Sequence, residues 1–395
     1  MAAPHVVMVR CGITLAHGTT GRATDALGVS PLALSLLAAY TVVVVGVRAA
    51  RRPAPATAGP QPRRAKGRIP PMWLSRSVGV GILTAAVVTS RVGGFTSEEA
   101  RLWPLVVSGA VWPMLVLLSA ALRDVWPRVD PWDSLARLIA PSGQPPPPRG
   151  DVRWAVPMAF SVAWFLYAWP AARHPRALSA GLLAYTAVML TGCVIAGRHW
   201  LRRAEAVGVF LSWVARMRHR GLMGWVPERG AAPILGIFAA GALFGELRTS
   251  SWAGTIPLSA TPLSTVLPIA IACAPVVALV LAGERWARQR GAAGAVLVGC
   301  VPTIAGLVVA LSLTDNELLH AAHGALQLLG IRRGLPPPHF SGDVQVISQL
   351  VILVASAASG AAIAARRASD SRAGVPSTLV CAAFAAGATL LVAAA

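Results

Sequence analysis

Acidic side chains are scarce in this chain, 15 among 395 residues, and three of them fall in one polar stretch, DVWPRVDPWDSLARLIA, at 124–140. Asp124, Asp130 and Asp133 are interleaved there with Arg123, Arg128 and Arg137, and Trp126 and Trp132 stand among them. Carboxylates and guanidinium groups mixed at this density can pair with one another or line a polar vestibule. A second polar stretch, RHWLRRAEAVGVFLSWVARMRHRG, sets Glu205 among Arg202, Arg203, Arg216, Arg218 and Arg220. Asp124 and Asp130 are expected to form ion pairs with Arg123, Arg128, Arg202 and Arg216, tying the two stretches together. Glu246, in ALFGELR, is the best ionisable candidate within an apolar segment, where such groups default to functional candidates, with Arg248 two residues on as a possible partner. The candidate polar site is therefore Asp124, Arg128, Asp130, Trp132, Arg137, Glu205, Arg216 and Glu246. The apolar segments carry no chain of carboxylates, which argues against a proton-driven pump.

Histidine suggests a different chemistry. Glu317, His320 and His323 form the series E-x-x-H-x-x-H, whose three-residue steps put neighbours on one helix face within reach of a divalent ion. His17 adds a third candidate ligand: if a short signal-peptide-like stretch at 1–16 were cleaved after Ala16, the new terminus would be His17-Gly18, and its amine and ring nitrogen chelate copper. A divalent metal or copper on the extracytoplasmic side, held by His17, His320 and His323, is one expectation. The other is an interfacial helix whose apolar side is Leu318, Leu319, Leu326, Leu328 and Leu329 and whose polar side holds the histidines. The chain has no Gly-rich phosphate loop, G-x-S-x-G elbow, H-E-x-x-H or C-x-x-C.

The elements that must position these groups are membrane elements. Hydrophobic residues make up 55% and charged residues 13% of the chain, and the mean hydropathy is +0.62, far from the balance of a soluble domain. A net charge of +20 would point to nucleic acid in a soluble protein, but these arginines gather at the ends of apolar segments, where they set orientation and meet anionic headgroups. Nucleic acid is excluded as a partner; membrane lipids are expected, along with a membrane-protein partner or a second copy of the chain. The cysteines fall mostly inside apolar segments and read as packing residues.

About ten spans follow from hydropathy: 29–47, 75–92, 102–122, 154–169, 177–197, 232–247, 263–283, 292–313, 344–365 and 375–392. A basic loop at 48–76, rich in Pro, Ala and Gly, is expected to be disordered and cytoplasmic, as is a Pro-rich loop at 141–150. That loop fixes both ends outside, with an extracytoplasmic tail or signal peptide at 1–28, in a bacterial cytoplasmic membrane. The expected fold is an all-α polytopic bundle, a single transmembrane domain over 29–395. Two short half-helices, 134–140 and 206–217, are too short to cross and are expected to lie at the cytoplasmic interface or to re-enter the membrane.

LAHGTTGR before the first span, DVWPRVDPWDSLAR after the third and HWLRRAEAVGVFLSWVAR after the fifth resemble, as a set and in this order, a family of bacterial polytopic membrane proteins known as fenitrothion hydrolase-like. The resemblance covers most of 14–260 and implies hydrolysis of an organophosphate ester. It also implies histidines within the late spans, which GLVVALSLTDN and LVILVASAASGAAIAA lack. Three functions are thus carried forward. As a hydrolase, the chain would use the outer histidines and a metal; as a small-molecule permease, it would use the half-helices and their carboxylates. As a structural or accessory subunit, it would offer small-residue faces such as Gly236, Ala240 and Gly241 to a partner.

Overall fold

The computed structural model describes residues 72–91, 106–122, 125–139, 151–169, 174–219, 221–249, 262–313, 342–368 and 371–394, with Tyr40, Thr41, Val44, Ala172, His320 and His323. The tail at 1–28, most of the basic loop, the Pro-rich loop and the first expected span apart from three residues lie outside this set. Among the described residues the chain is all helical, save one isolated bridge between Asp151 and Arg229.

The helices are α1 (Met72–Thr89), α2 (Trp112–Leu122, entered through a π-helical turn at Val106–Val111), α3 (Trp126–Val129) and α4 (Pro131–Ile139). Then come α5 (Ala155–Ala163, leaving through a π-helical turn at Trp164–Ala168), α6 (Pro175–Ala196), α7 (His199–Ala204) and α8 (Ala206–Ala215). The remainder is α9 (Ala231–Thr249), α10 (Pro262–Gln289), α11 (Ala295–Leu311), α12 (Gly342–Arg367) and α13 (Ser371–Ala394). Five stretches are long and apolar enough to cross a membrane: Pro175–Ala196, Ala231–Arg248, Leu263–Gln289, Val344–Arg367 and Gly374–Leu391. Helices also stand at the other expected positions beyond the first, but as shorter apolar segments, Ser75–Val88, Trp112–Leu122, Ala155–Ala168 and Ala295–Leu311.

A helix apolar around its whole circumference must be covered on every side, and α11 is the helix that the bundle covers. Its residues 295–310 are buried one after another, against α2, α8, α9, α10, α12 and α13. Small residues permit the close approach: a Cβ on Gly360 of α12 would collide with the Gly299 carbonyl of α11. The Gly236, Ala240 and Gly241 face of α9 is likewise used within the chain. Gly236 lies against Val277 of α10, Gly241 against Ala163 and Tyr167, and Ala240 is buried.

Helices stand near both expected half-helix positions, over Pro131–Ile139 instead of 134–140 and over Ala206–Ala215 instead of 206–217, and they are placed differently from each other. In α4, Trp132 and Ala136 face inward while Arg137, Leu138 and Ile139 are exposed, the pattern of an amphipathic helix. By contrast α8 has no exposed residue, and Phe210, Leu211, Trp213 and Val214 are fully buried among α2, α5, α9 and α11, so α8 is inserted into the protein.

Candidate functional site

The site begins with a turn. Gly197 closes α6 at φ 76, a backbone region that only glycine enters freely, and the chain folds back so that α7 packs along α6. α7 ends at Glu205, whose extended backbone breaks the helix, and the same residue caps α8. Its Oε1 accepts the Val207 N–H at 3.0 Å, and its Oε2 accepts the N–H of Gly208. Two further donors complete the set: the Tyr185 hydroxyl reaches Oε1 at 3.1 Å and the Trp126 indole reaches Oε2 at 3.0 Å. Glu205 is 2% exposed. A buried carboxylate with two donors on each oxygen is a satisfied group.

Asp130 repeats the arrangement on the first insertion. It separates α3 from α4, and Pro127 and Pro131 each sit at the start of the following helix, where a missing N–H costs nothing. Asp130 Oδ1 accepts the N–H groups of Trp132 and Asp133 at 2.8 and 3.1 Å, and Asp130 is also buried. The two caps meet through aromatic rings. Trp126 packs on Trp132 with centroids 5.8 Å apart, and Trp132 meets Tyr185 edge-on at 4.9 Å. The Trp132 indole donates to Thr186, beside Tyr185 on α6, at 3.1 Å.

Burial pushes both carboxyls above the ordinary carboxylate range. For Asp130 desolvation is the largest cause, opposed by its backbone hydrogen bonds; for Glu205 desolvation is followed by the charge of Asp130. Each carboxyl therefore holds its proton more firmly than an isolated carboxylate does. Tyr185 stands at the middle of the 22-residue α6, a stretch long enough to cross a membrane. Through Tyr185, Glu205 meets the middle of α6, whereas Asp130 lies between Val129, which packs on Gly79, and Asp133, which reaches Arg76 in the first turns of α1.

The expected ion pairs fall on a different residue. Asp130 is held by backbone N–H groups, whereas Asp133 gathers the arginines: Arg198 at 2.6 Å, Arg137 at 2.9 Å and Arg76 at 3.8 Å. Burial works to raise the Asp133 carboxyl, but hydrogen bonds from Arg198 and Arg137 outweigh it and hold the group below its usual range. The reason is positional. Asp130 spends its oxygen on the helix cap, while Asp133, one turn on, projects from the side of α4 toward α1 and the α6–α7 turn.

The other expected residues scatter. Arg216 lies 3.9 Å from Glu228 and near the Trp225 ring, and Glu228 also accepts the indole N–H groups of Trp213 and Trp225 at 3.2 and 3.0 Å. Glu246 is buried on α9, and Arg248 donates to the Tyr167 carbonyl at 2.8 Å. Arg128 is exposed on α3. Asp124, His17 and Glu317 lie outside the described residues; His320 is partly exposed and His323 buried. Among the described residues no three His, Cys, Asp or Glu side chains gather as a metal set.

Sequence reasoning missed Tyr185, Thr186, Arg76, Arg198 and Glu228. Tyr185 had a signal, as one of only three tyrosines and set within an apolar run, where a hydroxyl must find a partner. No family model matches this chain, and no curated protein or solved structure matches it.

Proposed function

We propose that this chain is a multi-pass protein of a bacterial cytoplasmic membrane, its arginine-rich loops inside and both ends outside, that acts as a permease moving a small solute together with a proton. One observation carries the reading: a buried carboxylate, Glu205, caps an inserted half-helix, takes the Tyr185 hydroxyl from the middle of α6, and feels the charge of a second buried capping carboxylate, Asp130. Half-helices whose ends meet at mid-depth are how many transporters build a polar site inside an apolar bundle. This is one shared proton site and not the chain of carboxylates of a pump.

The hydrogen-bond set supplies one neighbour that can take a hydrogen bond from protonated Glu205. Of the four donors on Glu205, two are backbone N–H groups and one is an indole N–H, which only donate. The Tyr185 hydroxyl alone can reverse. When Glu205 is protonated on Oε1, it donates to the Tyr185 oxygen, and the Tyr185 hydrogen turns toward another acceptor. Protonation also removes the charge that the Trp126 indole faces, so that one hydrogen bond weakens when the proton is bound.

The test is transport by the purified chain in proteoliposomes on a solid-supported membrane, challenged with amines, amino acids, organic acids and sugars under a pH step. The wild type should give solute-evoked currents that E205Q and D130N lose while still folding. Chelator-sensitive ester hydrolysis with no current from any solute would overturn the permease reading in favour of the hydrolase that the resemblance implies.

A further inference from the structure

We infer that Arg76, Arg137 and Arg198, gathered round Asp133, form a binding site for the phosphate of an anionic phospholipid. Three separate elements bring the cations together: α1 supplies Arg76, α4 supplies Arg137 and the turn after α6 supplies Arg198. All three point at one carboxylate, within 3.8, 2.9 and 2.6 Å. Among the described residues Asp133 is the one carboxylate paired with all three, Asp130 lies near enough to Arg76 to feel its charge, and even with both ionised the cluster keeps a surplus of positive charge. The Nε atoms of Arg76 and Arg198 are buried without a hydrogen-bond partner. Guanidinium groups in this condition seek an acceptor with several oxygens, and a phosphate diester offers oxygens that planar forks match well.

The apolar surroundings favour a lipid over a soluble phosphate. Leu138 and Ile139, next to Arg137, and Val194 and Ile195, one turn before Arg198, are exposed, Leu138 and Ile195 by 82% and 81%. Large aliphatic side chains left uncovered beside a cationic cluster suit acyl chains below a headgroup. Asp133 then has a second role. It holds the arginines in place when no headgroup is bound and competes with the phosphate when one is.

That competition gives the test. The purified full chain is exchanged into mixed micelles with phosphatidylglycerol or phosphatidylcholine, and retained lipid is counted by native mass spectrometry. The wild type should prefer phosphatidylglycerol on the order of tenfold, the scale that a surplus of one or two arginines gives at a lipid surface. The double variant R137Q/R198Q should lose that preference. D133N, which keeps all three arginines and removes their competitor, should hold phosphatidylglycerol at least as firmly as the wild type. A purely structural ion-pair cluster predicts the reverse, so loss of preference in D133N overturns the proposal. Should D133N not assemble, R137Q decides alone, since its guanidinium is the most exposed of the three, and an unchanged preference there overturns it. Millimolar inorganic phosphate at matched ionic strength should leave the lipid bound; full displacement would assign the site to a soluble phosphate instead.

Discussion

The Trp126 indole donates to the Glu205 carboxylate across 3.0 Å and 79 residues of sequence, and that contact makes one unit of two polar insertions. Trp126 belongs to α3, on the first insertion; Glu205 opens α8, on the second. A second tie runs from Arg198 to Asp133 at 2.6 Å. The joint is therefore double: a neutral donor on a buried carboxylate in the middle of the bundle, and a charged pair nearer its edge.

Trp126→Phe keeps an aromatic ring against Trp132 and removes the donor. Glu205 Oε2 is then left with the Gly208 N–H, and losing one partner of a buried acceptor costs about 1–3 kcal/mol. Thermal unfolding in detergent should show W126F less stable, with Y185F shifted the same way because it leaves Oε1 with the Val207 N–H alone. An unshifted W126F would mean that the indole contact contributes nothing.

The carboxyl pair predicts a pH dependence of the less usual sign. Both groups bind their proton more tightly folded than unfolded, so the folded state holds more protons. The contribution of this pair is then greatest below the unfolded carboxylate value of about 4 and falls as pH rises from there through the raised folded values, while Asp133, whose carboxyl is lowered, contributes with the opposite sign only below about pH 4. The wild type should melt at a lower temperature in mildly alkaline than in mildly acidic buffer, and D130N/E205Q should flatten that slope. A wild-type stability that rises over the same window would contradict the assignment.

Much of this arrangement was legible before any coordinates. Runs of apolar residues bounded by arginine mark the long helices, and a short helix stands near the expected 134–140, but it starts at Pro131 and is capped by Asp130, so its first turn and both caps, Asp130 and Glu205, were not read from the sequence. What the sequence hid was partnership. Asp130 and Asp133 differ by three positions and look interchangeable as ion-pair candidates, yet one faces its own backbone and the other faces arginines from α1 and the α6–α7 turn. Which of two nearby carboxylates meets a distant arginine depends on how helices pack, and no local pattern encodes it. The sequence left α8 open between an interfacial and a re-entrant helix for the same reason: a short apolar helix flanked by arginines fits a headgroup surface as well as a protein interior.

Gly208→Ala tests how tightly the junction is packed. A Cβ there would run into Glu205 Oε2 and the Trp126 indole at once. Overpacking of this kind costs about 1–3 kcal/mol, although alanine is the better helix former by about 1 kcal/mol. G208A should lower the melting temperature, and a stabilised G208A would indicate room at the junction that the packing denies.

Topology follows from the side on which the arginines lie. Cysteine placed at Ala58, in the basic loop, should be labelled from the cytoplasmic side, and cysteine at Gly334 from the outside. Labelling of both from one side would sink the proposed orientation.

Asp130, Asp133 and Asp151 form a graded series, because the three carboxylates do three different things. Asp151 pairs with Arg153 at the surface, at 2.7 Å with the arginine 67% exposed, and solvent replaces such a partner readily. Asp130 caps α4 through two backbone N–H groups, and loss of a cap costs about 0.5–2 kcal/mol. Its removal also relieves the repulsion that Glu205 feels, which offsets part of that loss. Asp133 holds three arginines, two of them largely buried. Asp133→Ala therefore leaves like charges crowded together at a joint between α1, α4 and α6, and like-charge crowding at low exposure is the costliest of the three outcomes. The yield of folded protein, read by fluorescence-detected size exclusion, should fall most for D133A, less for D130A and not at all for D151A. If D130A fell furthest, the Asp130 carboxylate would be doing more than capping, and the division of labour between the two neighbouring aspartates would be wrong.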